Sequence, residues 1–263
     1  MMKFDLHVHT NLSYDSQMTS DELVEAARRA GLSGVATCDH NAFRSHRPRD
    51  NFFIIPSCEF STDVGHLLVL FMKEHINENL SRDEYGRFYW RDICRAAHEQ
   101  GALVFYAHPF APPRPHSKAL YEQLDGIEVF NSRVVHSRLR SANKRALELC
   151  RKHNLPFSAG SDAHCPGEVG TSYWECDLPE SAMNEPDFEE KLKAELLSRR
   201  GRVWCGCASP GVVLRCKRYG YKVERLYGKY IKTLFALIYL GIKYPFAKKE
   251  NGKCVEVYKE EEV

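Results

Sequence analysis

Nine residues of the chain carry the side chains that bind hard or borderline cations, and they come in short clusters. His7 and His9 lie in "DLHVHT", Asp15 in "SYDS", His40 in "CDHN", Glu59 in "SCEF", His66 in "GHLLVLF", His108 in "YAHPF", and Asp162 and His164 in "GSDAH". Residues two apart on a strand point to the same face, so His7 and His9 can clamp one ion through ring nitrogens at about 2.0–2.1 Å. Taken singly, each of these residues could equally be a satisfied core histidine, a helix cap or a surface acid. Together they supply six imidazoles and three carboxylates. A single ion usually takes about four to six ligands, so the set suits two or three ions sharing a bridging carboxylate.

These side chains need a scaffold that brings distant segments to one place. β-Branched and aromatic runs predict strands at residues 3–8, 34–38, 53–58, 67–71, 103–107, 127–130 and 156–160. Between them, "TSDELVEAARRAG" has an N-cap, an acidic first turn, apolar residues at helical spacing and a closing glycine, and "SANKRALELCRKHN" repeats that grammar. Strands alternating with helices predict an α/β fold of parallel strands and crossover helices, whose chemistry gathers at the carboxyl ends of the strands. Five clusters follow five predicted strands. His66, at the start of its apolar run, would have to reach the same mouth from a bend. His98, His116 and His153 lie away from strand ends and read as surface residues, whereas His136 is a candidate substrate contact.

The chain has 263 residues, 43% apolar and 27% charged, which suits a globular protein with a core large enough for one α/β barrel. The first residues, "MMKFDLHVHT", lack the apolar stretch of a secretory signal, and ten cysteines without a CxxC spacing read as reduced thiols, so a cytoplasmic location is expected. Cys205 and Cys207 are too closely spaced to favour zinc. Residues 210–263 carry twelve Lys and Arg against six Glu, a net of +6, which leaves about −4 of the total +2 for residues 1–209. Two regions are therefore expected: a body over 1–209 and a basic extension over 210–263. The nine-residue run "TLFALIYLG" in the extension is well short of the ~20 needed to span a bilayer. It is expected to pack Leu234, Phe235, Leu237, Ile238 and Leu240 on the barrel as a terminal helix. Contact with a membrane surface or nucleic acid through the basic flanks is the alternative.

In the order "DLHVHT", "CDHN", "SCEF", "GHLLVLF", "YAHPF", "GSDAH", the sequence resembles the polymerase and histidinol phosphatase (PHP) domain family over about residues 3 to 170, and "GIEVFNSR" with the helix after it resembles the family's C-terminal region. The resemblance implies a distorted seven-stranded (β/α) TIM-like barrel, here with a C-terminal helical extension, holding three divalent ions at the nine positions above. By that likeness His7, His9, Glu59 and Asp162 surround the first ion, Glu59, His66 and His108 the second, and Asp15, His40 and His164 the third. Many relatives read Ser-Asp-Gly after the paired histidines; the loop here is "SYDS", so Asp15 stands at a departure from the pattern.

A trinuclear centre lowers the pKa of a bound water towards ~7 and neutralises phosphoryl oxygens during in-line displacement. No serine nucleophile elbow and no GxxxxGK[ST] loop occurs, which disfavours acyl-enzyme and P-loop chemistry. The expected activity is hydrolysis of a phosphomonoester, nucleotide or oligonucleotide by metal-activated water, with Glu59, Asp162 and His164 as the catalytic ligands. Zn, Mn and Fe all suit mixed nitrogen and oxygen ligands. Arginine forks suit phosphate, and Arg44, beside Arg47 and Arg49, and Arg133, with Arg138 beyond it, are candidate substrate contacts. A histidinol-phosphate phosphatase and a non-catalytic, metal-stabilised binding module are the competing readings.

Overall fold

A computed structural model describes the chain apart from residues 48, 77–78, 112–116, 137–140, 244–251 and 259–263. Strand β1 (Met2–Val8) is buried at every position but Lys3, as a strand covered on both faces must be. Helix α1 (Ser20–Arg29) starts at a capping box in which Thr19 and Glu22 satisfy each other's backbone N–H, and it buries Leu23, Val24, Ala26 and Ala27. It leads into β2 (Gly34–Thr37), which pairs parallel with both β1 and β3 (Phe53–Thr62).

The parallel pattern breaks at the next step. Thr62 and Gly65 face each other across a turn into β4 (Gly65–Leu70), so β3 and β4 form an antiparallel hairpin, where the sequence reading expected parallel neighbours. The physical reason is length: a parallel crossover needs a dozen or more residues, and only Asp63 and Val64 separate the strands. Gly65, at φ +132°, takes a conformation that a side chain would strain. After α2 (Trp90–Glu99), β5 (Leu103–Tyr106) pairs antiparallel with β4, and β6 (Gly126–Asn131) and β7 (Phe157–Gly160) resume the parallel order, with α3 (Lys118–Tyr121) and α4 (Ala142–His153) between them.

The sheet holds ten strands, not the seven expected, in the order β10-β9-β8-β1-β2-β3-β4-β5-β6-β7. The three unexpected ones, β8 (Ser172–Cys176), β9 (Arg202–Cys205) and β10 (Lys253–Glu256), extend it antiparallel from β1, with α5 (Phe188–Leu197) between β8 and β9. The sheet curls so far that its far end meets its middle. Asp162 N–H donates to His7 C=O at 2.8 Å and His9 N–H to Ala163 C=O at 2.8 Å, which joins the segment after β7 to the end of β1. Gly160 makes this approach possible, because a Cβ there would lie 2.3 Å from the Cβ of His7. One continuous core of Phe, Leu, Ile and Val side chains from β1 and β3–β7 supports this arrangement from below.

Residues beyond β9 form α6 (Pro210–Val223) and α7 (Tyr227–Lys243), which pack on each other, before β10 returns to the sheet edge. The expectation that the apolar run hides on the barrel is not met: Leu234, Phe235 and Ile238 are exposed, Phe235 by 66%. The reason lies in the run itself, whose apolar residues surround the helix, so that packing on α6 covers only one face. The side chain of Leu240 lies outside the described ones. Among the described residues, no helix is long and apolar enough to cross a membrane.

Candidate metal centre

Glu59 sits at the middle of the site, on β3 between the core residues Cys58 and Phe60, and is 1% exposed. Its Oε1 lies 2.8 Å from His66 Nδ1, 3.1 Å from His108 Nε2 and 3.6 Å from His7 Nε2. Its other oxygen, Oε2, lies 2.9 Å from His40 Nδ1 and 3.6 Å from His9 Nε2. One carboxylate thus touches five imidazoles from four segments. The β3–β4 hairpin is what delivers His66: it stands opposite Ser61 at the start of β4, so the reversal of the chain returns it to Glu59.

The second carboxylate, Asp162, follows β7 at φ +56°, a left-handed conformation uncommon for a residue with a side chain. Its Oδ1 approaches His9 Nε2 at 3.3 Å, His164 Nδ1 at 3.5 Å and His7 Nε2 at 3.8 Å. Asp15 reaches in from the loop after β1, with Oδ2 3.0 Å from His164 Nε2 and 3.7 Å from His40 Nε2. All nine residues singled out from the sequence therefore converge on one cluster, Asp15 among them despite its altered loop.

The donors fit divalent cations by their chemistry. His7 Nδ1–H donates to Glu128 Oε1 at 2.9 Å, which leaves Nε2 as the bare nitrogen, and that atom faces His9 Nε2 at 3.1 Å. Two imidazole nitrogens at this distance, with carboxylates on either side, are the arrangement a cation would bridge. Asp15 Oδ1 is buried without a hydrogen-bond partner, a lone acceptor that an ion would satisfy. Ligand atoms lie within 4.8 Å of one another in the sets His9, Asp15, His40, His164; His7, His9, Glu59; and His40, Glu59, His66.

Electrostatics bind the cluster internally. Burial acts to raise Glu59, yet His66, His40 and His7 hold it well below the usual carboxylate range, and Asp162 is likewise held down against burial by His7, His9 and His164. Burial acts against charging His40, but Glu59 and Asp15 push it up to about 10. His9 goes the other way, lowered by burial and by its neighbours His164 and His40.

Sequence reasoning missed the residues that hold the ligands. Glu128, on β6 and 1% exposed, accepts from His7 Nδ1 and from the His108 backbone N–H at 2.8 Å, while Asn131 Nδ2 donates to Glu128 and to Asp162. The available signal was an acid inside the otherwise apolar run "GIEVF". Asp39, read only as an acid beside His40, brackets the first loop instead by accepting from Thr10 N–H and Oγ1 and from Ser13 N–H. Ser13 Oγ in turn contacts His9 Nδ1 and accepts from the His40 N–H, so one hydroxyl fixes two of the rings.

The cavity above the cluster has a volume of about 650 Å³. Arg133 lines it, with Nε donating to Glu168 Oε1 at 3.1 Å and Nη2 to Cys216 Sγ at 3.3 Å. Lys217, Tyr221 and Lys229 of the extension line it as well, and burial together with Arg133 holds the Lys217 ammonium below its ordinary range. Arg44 is exposed and donates to Asn11 Oδ1 at 3.5 Å, outside the cavity lining. His136 ends the short 3-10 turn Arg133–His136; its side chain, like Arg138, lies outside the described residues.

A curled α/β sheet thus gathers histidines and carboxylates from its strand ends around one central acid, a donor set that could hold metal ions. Comparison with known proteins agrees. The PHP domain model matches residues 5–123 and the PHP-associated model residues 140–195. An uncharacterized protein of Methanocaldococcus jannaschii is 34% identical over 195 residues, covering 71% of this chain and 74% of its own length. Among solved structures, PsfC from Pseudomonas syringae superposes with a TM-score of 0.51 at 18% identity, covering 66% of this chain and 80% of its own. A two-domain Bacteroides vulgatus protein, described as containing a predicted PHP-like metal-dependent phosphoesterase, gives a TM-score of 0.49 at 22% identity. The match covers 78% of this chain but only 58% of that longer one. The chain belongs to the PHP domain family.

Proposed function

We propose that the protein is a metal-dependent phosphoesterase with a trinuclear centre, acting on a phosphomonoester, nucleotide or oligonucleotide. The observation that carries this reading is the position of Glu59, a single buried carboxylate within 3.6 Å of five imidazoles. Oε1 faces His66, His108 and His7 and Oε2 faces His40 and His9, so each oxygen meets its own group of rings, as suits a shared ligand; His7, His9, Glu59 and Asp162 would hold the first ion and Glu59, His66 and His108 the second. Asp15, His40 and His164 would hold the third. Divalent Zn, Mn or Fe there supplies Lewis acidity and an acidified water when bound.

The chain's own groups do the rest. Glu128 sets the His7 proton on Nδ1 and Ser13 Oγ holds the His9 ring through its Nδ1, so that both Nε2 atoms face inward. Arg133 presents a cation on the opposite wall, where the phosphoryl oxygens of a bound ester would lie. Glu59, Asp162 and His164, all at most 14% exposed at their side chains, limit bulk water around the reacting group. The catalytic residues belong to the body over 1–209, and Lys217, Tyr221 and Lys229 of the extension line the cavity.

A screen of phosphate esters against protein reconstituted with Mn, Zn or Fe, alongside metal analysis, tests the proposal. The expected result is close to three ions per chain and hydrolysis that chelation abolishes and that Glu59→Ala or Asp162→Ala removes. Fewer than one ion per chain after reconstitution, or activity unchanged in both variants, overturns it.

A further inference from the structure

We infer that Lys217, on helix α6 of the basic extension, is a specificity-determining residue that takes the phosphate of the substrate together with Arg133. The inference rests on the phosphoesterase reading and goes beyond it, because both matching family models end at residue 195 or before, and Lys217 lies past that point.

Three observations carry it. First, α6 is seated on the metal cluster. Gly220 faces Asp15 so closely that a Cβ would stand 3.2 Å from the Asp15 Cβ, and Cys216 of the same helix meets Arg133 Nη2 at 3.3 Å. Second, this seating brings Lys217 into the cavity that Glu59, Asp162 and His164 line from the other side, with Arg133 beside it. Third, part of the charge of this wall is unpaired. Among the described residues no carboxylate lies within salt-bridge distance of Lys217 or Lys229, whereas Arg133 is already paired with Glu168 and touches the Cys216 sulfur.

A half-buried ammonium without a counterion is costly to desolvate, and it sits next to a second cation, so the arrangement is favourable only when an anion enters. Phosphate provides the matching charge and several acceptor oxygens. At about 650 Å³ the cavity has the size of a small-molecule site, so room remains beside Tyr221 for the esterifying group. The substrate class is therefore a small phosphate monoester, gripped on one side by the ion cluster and on the other by Lys217 and Arg133.

The test uses the full-length, metal-loaded protein and the variants Lys217→Ala, Lys217→Gln and Lys217→Arg, with exposed Lys222→Ala as control. Readouts are KM and kcat on p-nitrophenyl phosphate, calorimetric affinity for inorganic phosphate, metal content and thermal midpoint. Lys217→Ala and Lys217→Gln should raise KM and weaken phosphate binding about tenfold or more, with metal content unchanged. Lys217→Arg should recover most of the loss, which a merely structural lysine would not require, and Lys222→Ala should match the parent. Changes below twofold in both KM and phosphate affinity overturn the inference while leaving hydrolysis intact. If the parent hydrolyses no ester yet loses phosphate binding on Lys217→Gln, the phosphoesterase reading falls and the anion site stands.

Discussion

Replacing Glu128 by glutamine removes one charge from the centre while keeping the side chain's shape. The carboxylate accepts from His7 Nδ1 at 2.9 Å, from the His108 backbone N–H at 2.8 Å and from Asn131 Nδ2 at 3.2 Å. A glutamine amide offers one oxygen and one NH2 group, so at least one of these three donors must face another donor. Hydrogen bonds to a buried charge are worth about 1.5–3 kcal/mol each, and partners that orient metal-binding histidines typically govern ~10–100-fold in affinity. At about 1.4 kcal/mol per tenfold, the two figures agree. Glu128→Gln should therefore bind Mn or Zn ten- to a hundredfold more weakly, in competitive titration against a chelator, with a far-UV spectrum like the parent's. His7 and His108 belong to different proposed ion sites, so two of the binding steps should weaken together. A loss below twofold at every step would refute the claim that Glu128 sets the His7 tautomer, since the orientation would then come from packing alone.

Further outcomes follow from the same geometry. Gly160→Ala places a methyl group 2.3 Å from the Cβ of His7, so it should lower both the thermal midpoint and metal content, whereas Gly31→Ala, with open space around its Cβ, should leave metal content alone. Thr19→Ala removes the α1 capping box and should cost about 0.5–2 kcal/mol in urea unfolding without changing metal affinity. Because His40 in the metal-free fold is raised above its ordinary value to about 10, its protonation contributes stability that is fully present below the unfolded pKa of about 6.5 and lost as pH rises through 10. Metal-free protein should accordingly melt lower at pH 9.5 than at pH 7, while metal affinity rises over the same range as a bound ion displaces the His40 proton; calorimetry in buffers of different ionisation enthalpy counts that proton.

The fold was legible wherever strands were buried along their whole length or nearly so, which covers β1 to β7. The antiparallel placement of β4 could have been inferred as well, because Asp63 and Val64 alone cannot cross over a sheet. Strands β8 to β10 were missed for a different reason. They are no shorter than β2, β5 and β7, but β9 and β10 are largely uncovered, and β8 alternates buried Ser172, Trp174 and Cys176 with half-buried Tyr173 and Glu175, so none is buried throughout as those three are. The terminal helix misled because seven apolar residues in a row, Leu234 to Leu240, suggest burial in general, whereas one neighbouring helix can cover only a stripe.

The candidate site divides along the same line. Its candidate ligands could be picked out because each is announced locally: a histidine pair two apart, or an acid and a histidine where an apolar run stops, is visible within five residues of sequence. The groups that give those ligands direction are set by partners far along the chain. Glu128 meets His7 across 121 positions and Arg133 meets Glu168 across 35, contacts that exist only because the sheet curls until β7 reaches β1. Lys217 is further removed still, since its place depends on α6 lying against Asp15, and nothing around "RCKRYG" distinguishes it from the other cations of the extension. Sequence clusters thus report which element of the chemistry is present, and the closure of the sheet decides what that chemistry faces. A substitution that loosens closure, such as one at Gly160, should consequently disturb metal binding even though it alters no ligand.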